Sequence, residues 1–288
     1  MSRKITCENG EYKIIFGEDS FSPFLLASVD GIYSVKNNLV VSKNAMSDGG
    51  TFQGSTAEIR NIVLKVMVEP LHIWRQDSRD ILYQLFSKDS FGTFIYEENG
   101  KRRKTKYRVE SITQSEWKKR LFTISLICED PFFYGMSPVK YELGTYDGAF
   151  EFIHEFITDG EELGTRSNET IATIKNNLGT DGIGLNFKIQ CVGNVVNPEV
   201  VKIETNERLS LGTSSLPLSL SFGDILEITT STNNKHVYLN GEEINQYLTE
   251  DAEFIQLSRG VNSIGYNAES GSENMQVTIT YTPQYEGA

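Results

Sequence analysis

Apolar residues along this chain alternate with polar ones far more often than they recur at helical spacing. Ile62, Leu64, Val66 and Val68 interleave with Val63, Lys65 and Met67, the period of two that predicts a strand. Pro70, which has no donor for a ladder, closes that run. Tyr12 to Phe16 and Phe24 to Val29 are short apolar runs separated by GEDSFSP, and Asp30-Gly31 predicts a tight turn after them. One stretch changes period: Trp74, Ile81, Leu82, Leu85 and Phe86 fall on one side of a 3.6-residue spiral, with Arg75, Gln76, Arg79, Asp80, Gln84 and Lys88 mostly outside it. This predicts a single helix of about four turns. Its polar face mixes both signs, so the apolar stripe is expected to pack on a sheet rather than lie on a membrane. Phe91 to Tyr96 and Lys106 to Ile112 flank EENGKRRK, where Asn99-Gly100 suits a type I′ turn, predicting a hairpin with four basic residues at its tip. Phe122, Ile124, Leu126 and Cys128 predict a further strand, ending at Asp130-Pro131 before Phe132, Phe133 and Tyr134.

The second half reads as strand after strand. Leu185, Phe187, Ile189 and Cys191 alternate, as do Leu216, Leu218 and Leu220, and Asp224 to Thr230 continues the pattern. Val237 to Leu239 run into Asn240-Gly241, a second hairpin signal, and Phe254 to Leu257 precede Arg259-Gly260. Met275, Val277, Ile279 and Tyr281 form the last strand. Strands at this spacing with no helical period between them predict an antiparallel sandwich. No fixed-period repeat is present, which excludes solenoids and propellers.

Charge divides the chain in the same way. Its 288 residues carry 27 basic and 39 acidic side chains, a formal net charge of −12. Residues 1–135 hold 19 basic and 17 acidic residues (+2), leaving 8 and 22 (−14) for residues 136–288. A boundary near 135–140 follows, and so acidic a chain is expected to be repelled by nucleic acid. Cys7, Cys128 and Cys191 are far apart and odd in number, with no C-x-x-C pair, so buried reduced thiols are expected rather than zinc or disulfides. The opening MSRKITCENGEYK lacks the apolar core of a signal peptide, and no run approaches the roughly 18 apolar residues of a membrane span.

Candidate chemistry is sparse. His72, His154 and His236 lie in unrelated contexts, and His72 has Gln76, not a second ligand, four residues on. Glu97-Glu98, Glu161-Glu162 and Glu242-Glu243 are adjacent in sequence, which does not set carboxylates across a cleft. Neither Gly182-Ile183-Gly184 nor Asp48-Gly49-Gly50 extends to a phosphate-binding loop, and no G-x-S-x-G occurs. No catalytic, cofactor or metal residue is therefore assigned. Two readings of Lys101, Arg102, Arg103 and Lys104 stand level: a positive loop docking on an acidic neighbour, including another copy of this chain, or a solvated tip that discourages edge pairing.

The order of elements resembles a family. A β-rich half with one helix ends in DPFFYG and is followed by an acidic sandwich containing FGDILEITTSTNNKHVYLNGEEI and FIQLSRGVNSIGYNAES. With GTFQGSTAEIRNIVLKVMVE (Gly50 to Glu69), and with Gly223-Asp224, Asn240-Gly241, Phe254, Ile255, Leu257, Gly260, Asn262 and Ile264 in that order, the whole chain resembles the distal tail proteins of long-tailed bacteriophages. The resemblance implies a mainly β fold: a split-barrel-like, ring-forming domain with one helix over residues 1–139, and a galectin-like antiparallel β-sandwich over 140–288. It further implies a structural hub of a phage or prophage tail tip, in which a homo-hexameric ring joins the tail-tube protein to a tail-tip fibre, lysin or receptor-binding protein. It places the protein in the virion tail, with no enzymatic activity, cofactor or membrane partner. Heterologous ring contacts would suit the near-neutral half and its basic run.

The alternative is a carbohydrate-binding adhesion protein. Both tryptophans, Trp74 and Trp117, lie in the first half, so sugar stacking in the sandwich would fall to Tyr238, Tyr247 or Tyr266. A cell-wall hydrolase is a third reading, disfavoured by the lack of clustered acids.

Overall fold

Alternation of apolar and polar positions becomes a closed core wherever two sheet faces, or a sheet and a helix, bury the same set of side chains. In the computed structural model, which describes residues 3–10, 12–17, 23–44, 48–68, 75–118, 120–148, 164–166 and 169–288, this happens twice. One unit comprises residues 1–136 with 284–288, the other residues 137–283.

The first unit is built on strands β1 (Arg3–Glu8), β2 (Lys13–Gly17), β3 (Phe24–Asp30), β4 (Asn37–Lys43), β5 (Gly50–Ala57), β6 (Arg60–Val68), β7 (Phe91–Glu98), β8 (Lys101–Gln114), β9 (Leu121–Cys128) and β10 (Phe133–Gly135), with helix α1 (Arg75–Leu85). The main sheet runs β2-β1-β7-β8-β9-β6-β3, all neighbours antiparallel. Its two edges approach each other, with the Phe16 and Phe24 rings 6.0 Å apart, so the sheet curls almost into a barrel. The alternation read in the sequence is visible in burial: Arg60, Ile62, Leu64, Val66 and Val68 point inward along β6, and Phe122, Ile124, Leu126 and Cys128 along β9.

Leu82, Leu85 and Phe86 join the same core, where Phe86 lies 6.4 Å from the Phe16 ring and 6.2 Å from Tyr107. The described part of the helix, Arg75–Leu85, makes about three turns, and the expected first position, Trp74, lies outside the described residues. The helix stops at Leu85 because the Ser90 hydroxyl takes up the Leu85 carbonyl at 3.0 Å, and Asp89 is left-handed at φ 63. Trp74, His72 and Pro70 lie outside the described residues, as do His154 and the pair Glu161-Glu162.

The second unit pairs two sheets. One runs Val139–Leu143, Met275–Tyr281, Asn186–Cys191, Ile225–Ser231, Asn234–Leu239, Glu242–Glu243; the other runs Ile171–Asn176, Gly260–Ser270, Val195–Lys202, Glu207–Ser210. Every pairing is antiparallel. Leu143, Phe187, Ile189, Leu226, Ile228, Val277 and Ile279 of the first meet Ile174, Val200, Leu209 and Ile264 of the second in one core, the two-layer sandwich expected. Asn240 and Gly241, at φ 52 and 87, make the hairpin turn that dipeptide predicts. The expected Leu216–Leu220 strand shrinks to Ser219–Leu220. Leu216 is instead in a turn, its N–H donating to Thr213 Oγ1 at 3.0 Å, and its side chain is exposed.

Two features have no counterpart in the sequence reading. Strands β4 and β5 form a two-stranded ribbon of their own. And the chain returns to the first unit at its far end, where Gln284–Tyr285 pairs antiparallel with β10.

Candidate assembly surfaces

Asn99 and Gly100, at φ 52 and 77, turn β7 into β8, so the basic run is not the tip of that hairpin but the first four residues of β8. The two-residue turn sets the register Glu98↔Lys101, Glu97↔Arg102, Tyr96↔Arg103 and Ile95↔Lys104. Opposite charges then face each other across the strands, and Arg102 Nε lies 3.4 Å from Glu97. Glu98 is held below the usual carboxylate range by a hydrogen bond from Arg3 at 2.8 Å. Lys101 is exposed, whereas Lys104 Nζ donates to the Met136 carbonyl at 3.1 Å. Arg103 stacks its guanidinium 3.9 Å over the Tyr285 ring and donates to the Gly287 carbonyl. The four neighbours in sequence therefore split, two facing outward and two turned to their own chain.

A different surface of the first unit is apolar and uncovered. On the β4–β5 ribbon Leu39, Val40, Val41 and Phe52 are 60%, 50%, 52% and 61% exposed. Val41 pairs with Phe52, and adjacent strand residues point to opposite sides, so both faces of the ribbon carry exposed apolar side chains. Tyr33 and Ile59, flanking the ribbon in sequence, are exposed as well. A two-stranded ribbon alone is marginal in water, and a contiguous apolar patch of this kind marks an interaction site. Its signal in the sequence is Leu39-Val40-Val41 facing Phe52 across the glycine pair Gly49-Gly50, a hairpin pattern too short in apolar alternation to stand out.

In the second unit the three tyrosines are not brought together. Tyr266 is 7% exposed and belongs to the core, and Tyr247 packs against that core. Tyr238 stands half-buried on the outward face of the larger sheet, its ring 5.6 Å from His236. The strand register lines up Glu142, Thr278, Lys188, Glu227, Tyr238 and Glu243 across this face. His236 Nδ1 sits 3.2 Å from Glu243 Oε1. A cleft of about 450 Å³ on the same unit contains Lys202, whose buried ammonium donates to the Gln256 carbonyl at 2.9 Å and Ser258 Oγ at 2.7 Å. That lysine positions the Gln256–Ser258 segment. All three cysteines are buried and free, and burial raises each thiol, Cys128 and Cys191 to about 11. Among the described residues, no three His, Cys, Asp or Glu side chains gather where a metal ion could be held.

Comparison with known proteins agrees with this architecture. Residues 178–285 match the model of the siphovirus-type tail component, C-terminal domain. A search of curated proteins gave no match. Among solved structures, the chain is similar to the Dit protein of phage SPP1, described as a paradigm of the hub adsorption apparatus in phages infecting Gram-positive hosts. The TM-score is 0.66 at 14% identity, over 98% of this chain and 99% of that one. A chain of the phage P2 baseplate in its activated conformation is a looser likeness, with a TM-score of 0.46 at 10% identity over the full length of both. Residues 178–285 thus match the C-terminal domain of the siphovirus-type tail component, and the chain as a whole shares the fold of the SPP1 Dit protein.

Proposed function

We propose that this protein is a structural, non-catalytic hub of a phage or prophage tail tip, in which six copies form a ring joining the tail tube to the baseplate and adsorption apparatus. The observation that carries the reading is the uncovered β4–β5 ribbon. It is too small to be stable alone and too apolar to be left in water, and it belongs to the unit expected to form the ring. In a ring, each copy offers one patch and receives another, so a projecting ribbon suits a heterologous contact with the next copy. The outward Lys101 and Arg102 supply a second patch, one that favours an acidic neighbour.

Light scattering and negative-stain imaging of the purified chain test this. A particle of about six copies with a central hole is expected. The triple substitution Leu39→Ser, Val41→Ser, Phe52→Ser should abolish it while circular dichroism keeps the β signature. A variant that still forms the same ring would remove the ribbon from the interface, and a wild-type chain monomeric at every concentration, even with a tail-tube partner, would defeat the hub reading.

A second reading, glycan binding, is favoured by one observation. Tyr238 is the tyrosine of the three that faces outward, flanked by Glu227, Glu243 and His236, the mixture of ring and polar groups a sugar face requires. Binding on a glycan array that disappears with Tyr238→Ala supports it; an array with no binding disposes of it.

A further inference from the structure

We propose that residues 284–288 are a strap that finishes the first unit, so that its assembly surface is completed only after the whole second unit has been made. The chain leaves the first unit after β10 and re-enters it after residues 137–283, pairing Phe133 with Tyr285 and Tyr134 with Gln284. Strand β10 is itself held on β8 through Tyr134↔Lys104 and Gly135↔Arg103. The strap is thus the outer member of a three-strand edge, β8, β10 and Gln284–Tyr285.

Each residue of the strap is held. Gln284 and Tyr285 are paired in the sheet, and Arg103 covers the Tyr285 ring. The buried Arg60 donates to the Glu286 carbonyl, and Arg103 donates to the Gly287 carbonyl. The Ala288 N–H donates to the Ile32 carbonyl at 2.9 Å, and Tyr285 and Ala288 pack on the core of the first unit. At Gly287 an added Cβ would lie 2.3 Å from the Tyr33 carbonyl oxygen, so the groove is closed around the backbone itself. A loose tail would not need a glycine there, nor two arginines aimed at its carbonyls.

The consequence concerns order of events. Strands β1 to β10 can pair among themselves as soon as they exist, but the groove they leave stays empty until the segment following the sandwich arrives. Closing so long a loop is entropically costly and comes late. Chains cut short within the sandwich would present an unfinished first unit. The assembly half of this proposal rests on the hub reading; the strap itself does not.

Full-length chain, a variant lacking residues 284–288, and the milder Arg103→Met and Tyr285→Ala are compared by hydrogen exchange and by light scattering. Amides of β10 and of residues 32–34 are expected to exchange about tenfold faster or more in every variant, since each loses at least one well-placed contact. The sandwich amides should not change. A synthetic peptide of residues 283–288 added to the shortened chain should restore protection and ring formation. Unchanged exchange in all three variants would overturn the strap. Faster exchange with an intact ring of shortened chains would overturn its role in assembly. If even the full-length chain makes no ring, the hub reading fails, and the exchange rates still decide the strap. Should the shortened chain fail to fold, Arg103→Met and Tyr285→Ala decide by the same amides.

Discussion

Arg60 is the residue on which the first unit should depend most sharply. It is 4% exposed, with its guanidinium 4.8 Å over the Phe133 ring. It donates to four carbonyls from three separate segments: Pro131 at 2.6 Å, Gly31 at 2.5 Å and Ser34 at 3.3 Å in one loop, and Glu286. Four of its five N–H groups are used, and each removes a backbone oxygen from the list of buried unpaired acceptors. Replacing it by Ala forfeits four charge-assisted hydrogen bonds, about 1.5 kcal/mol each at the low end, or about 6 kcal/mol. Burial already works against this charge, which is why its pKa lies below the ordinary arginine value. Relief of that desolvation returns about 2–3 kcal/mol, leaving a net loss of about 3–4 kcal/mol.

For a unit of this size that corresponds to a midpoint lower by about 10 °C. Far-UV dichroism records the midpoint, and hydrogen exchange assigns the loss to one unit: amides of β6 and β9 follow the first unit, and those of Asn186–Cys191 follow the second. Arg60→Lys is the discriminating variant: one ammonium keeps the charge but cannot span three segments as a planar fork does, so it should recover less than half the loss. Recovery by lysine to within about 0.5 kcal/mol of wild type would refute the argument from fork geometry. So would a loss that falls on the second unit's transition.

Other expectations follow from single positions. Gly31 sits at φ +84 with the Asn61 carbonyl oxygen 2.0 Å from where a Cβ would be, so Gly31→Ala should cost at least about 2 kcal/mol, read by exchange of the same β6 and β9 amides. Asp224 has a lowered pKa, because it accepts from the Ser221 N–H at 2.8 Å and from Asn240 Nδ2 at 2.9 Å. Its folded pKa being below the unfolded one, its contribution is present above the unfolded value and is lost as pH falls through the folded one. Asp224→Asn should therefore destabilise the protein at neutral pH and flatten the acid limb of its stability profile between about pH 5 and pH 2, measured by urea midpoints. Cys7, Cys128 and Cys191 are buried with raised pKa values, so a thiol reagent at pH 8 should label none in the native protein and all three in denaturant; fast native labelling of any one would contradict its placement.

Much of the secondary structure was legible because one face of each strand is buried and a period of two records it. Strands β6 and β9, the sandwich strand Asn186–Cys191 and the last one at Met275–Tyr281 are read directly from alternation. Turns with both central residues at positive φ were legible for a different reason, since Asn-Gly tolerates what other pairs do not. The structure divides near the point where the charge balance changes, into 1–136 with 284–288 and 137–283.

What the chain could not declare is which distant segments meet. The basic run at 101–104 is a local fact; that Arg103 and Lys104 turn to Gly287 and Met136 while Lys101 and Arg102 face outward depends on partners far along the chain. Tyr266 looks as available as Tyr238 in the sequence, and only the packing of two sheets buries one ring and presents the other. The ribbon at 37–57 escaped because its apolar residues stay exposed, so they do not follow the one-sided pattern that burial imposes. Periodicity carries the demands of the local backbone and the side of each strand that meets the core. The strap, the arginine cradle and the uncovered ribbon come from contacts between residues separated by much of the chain, and those exist only once it has folded.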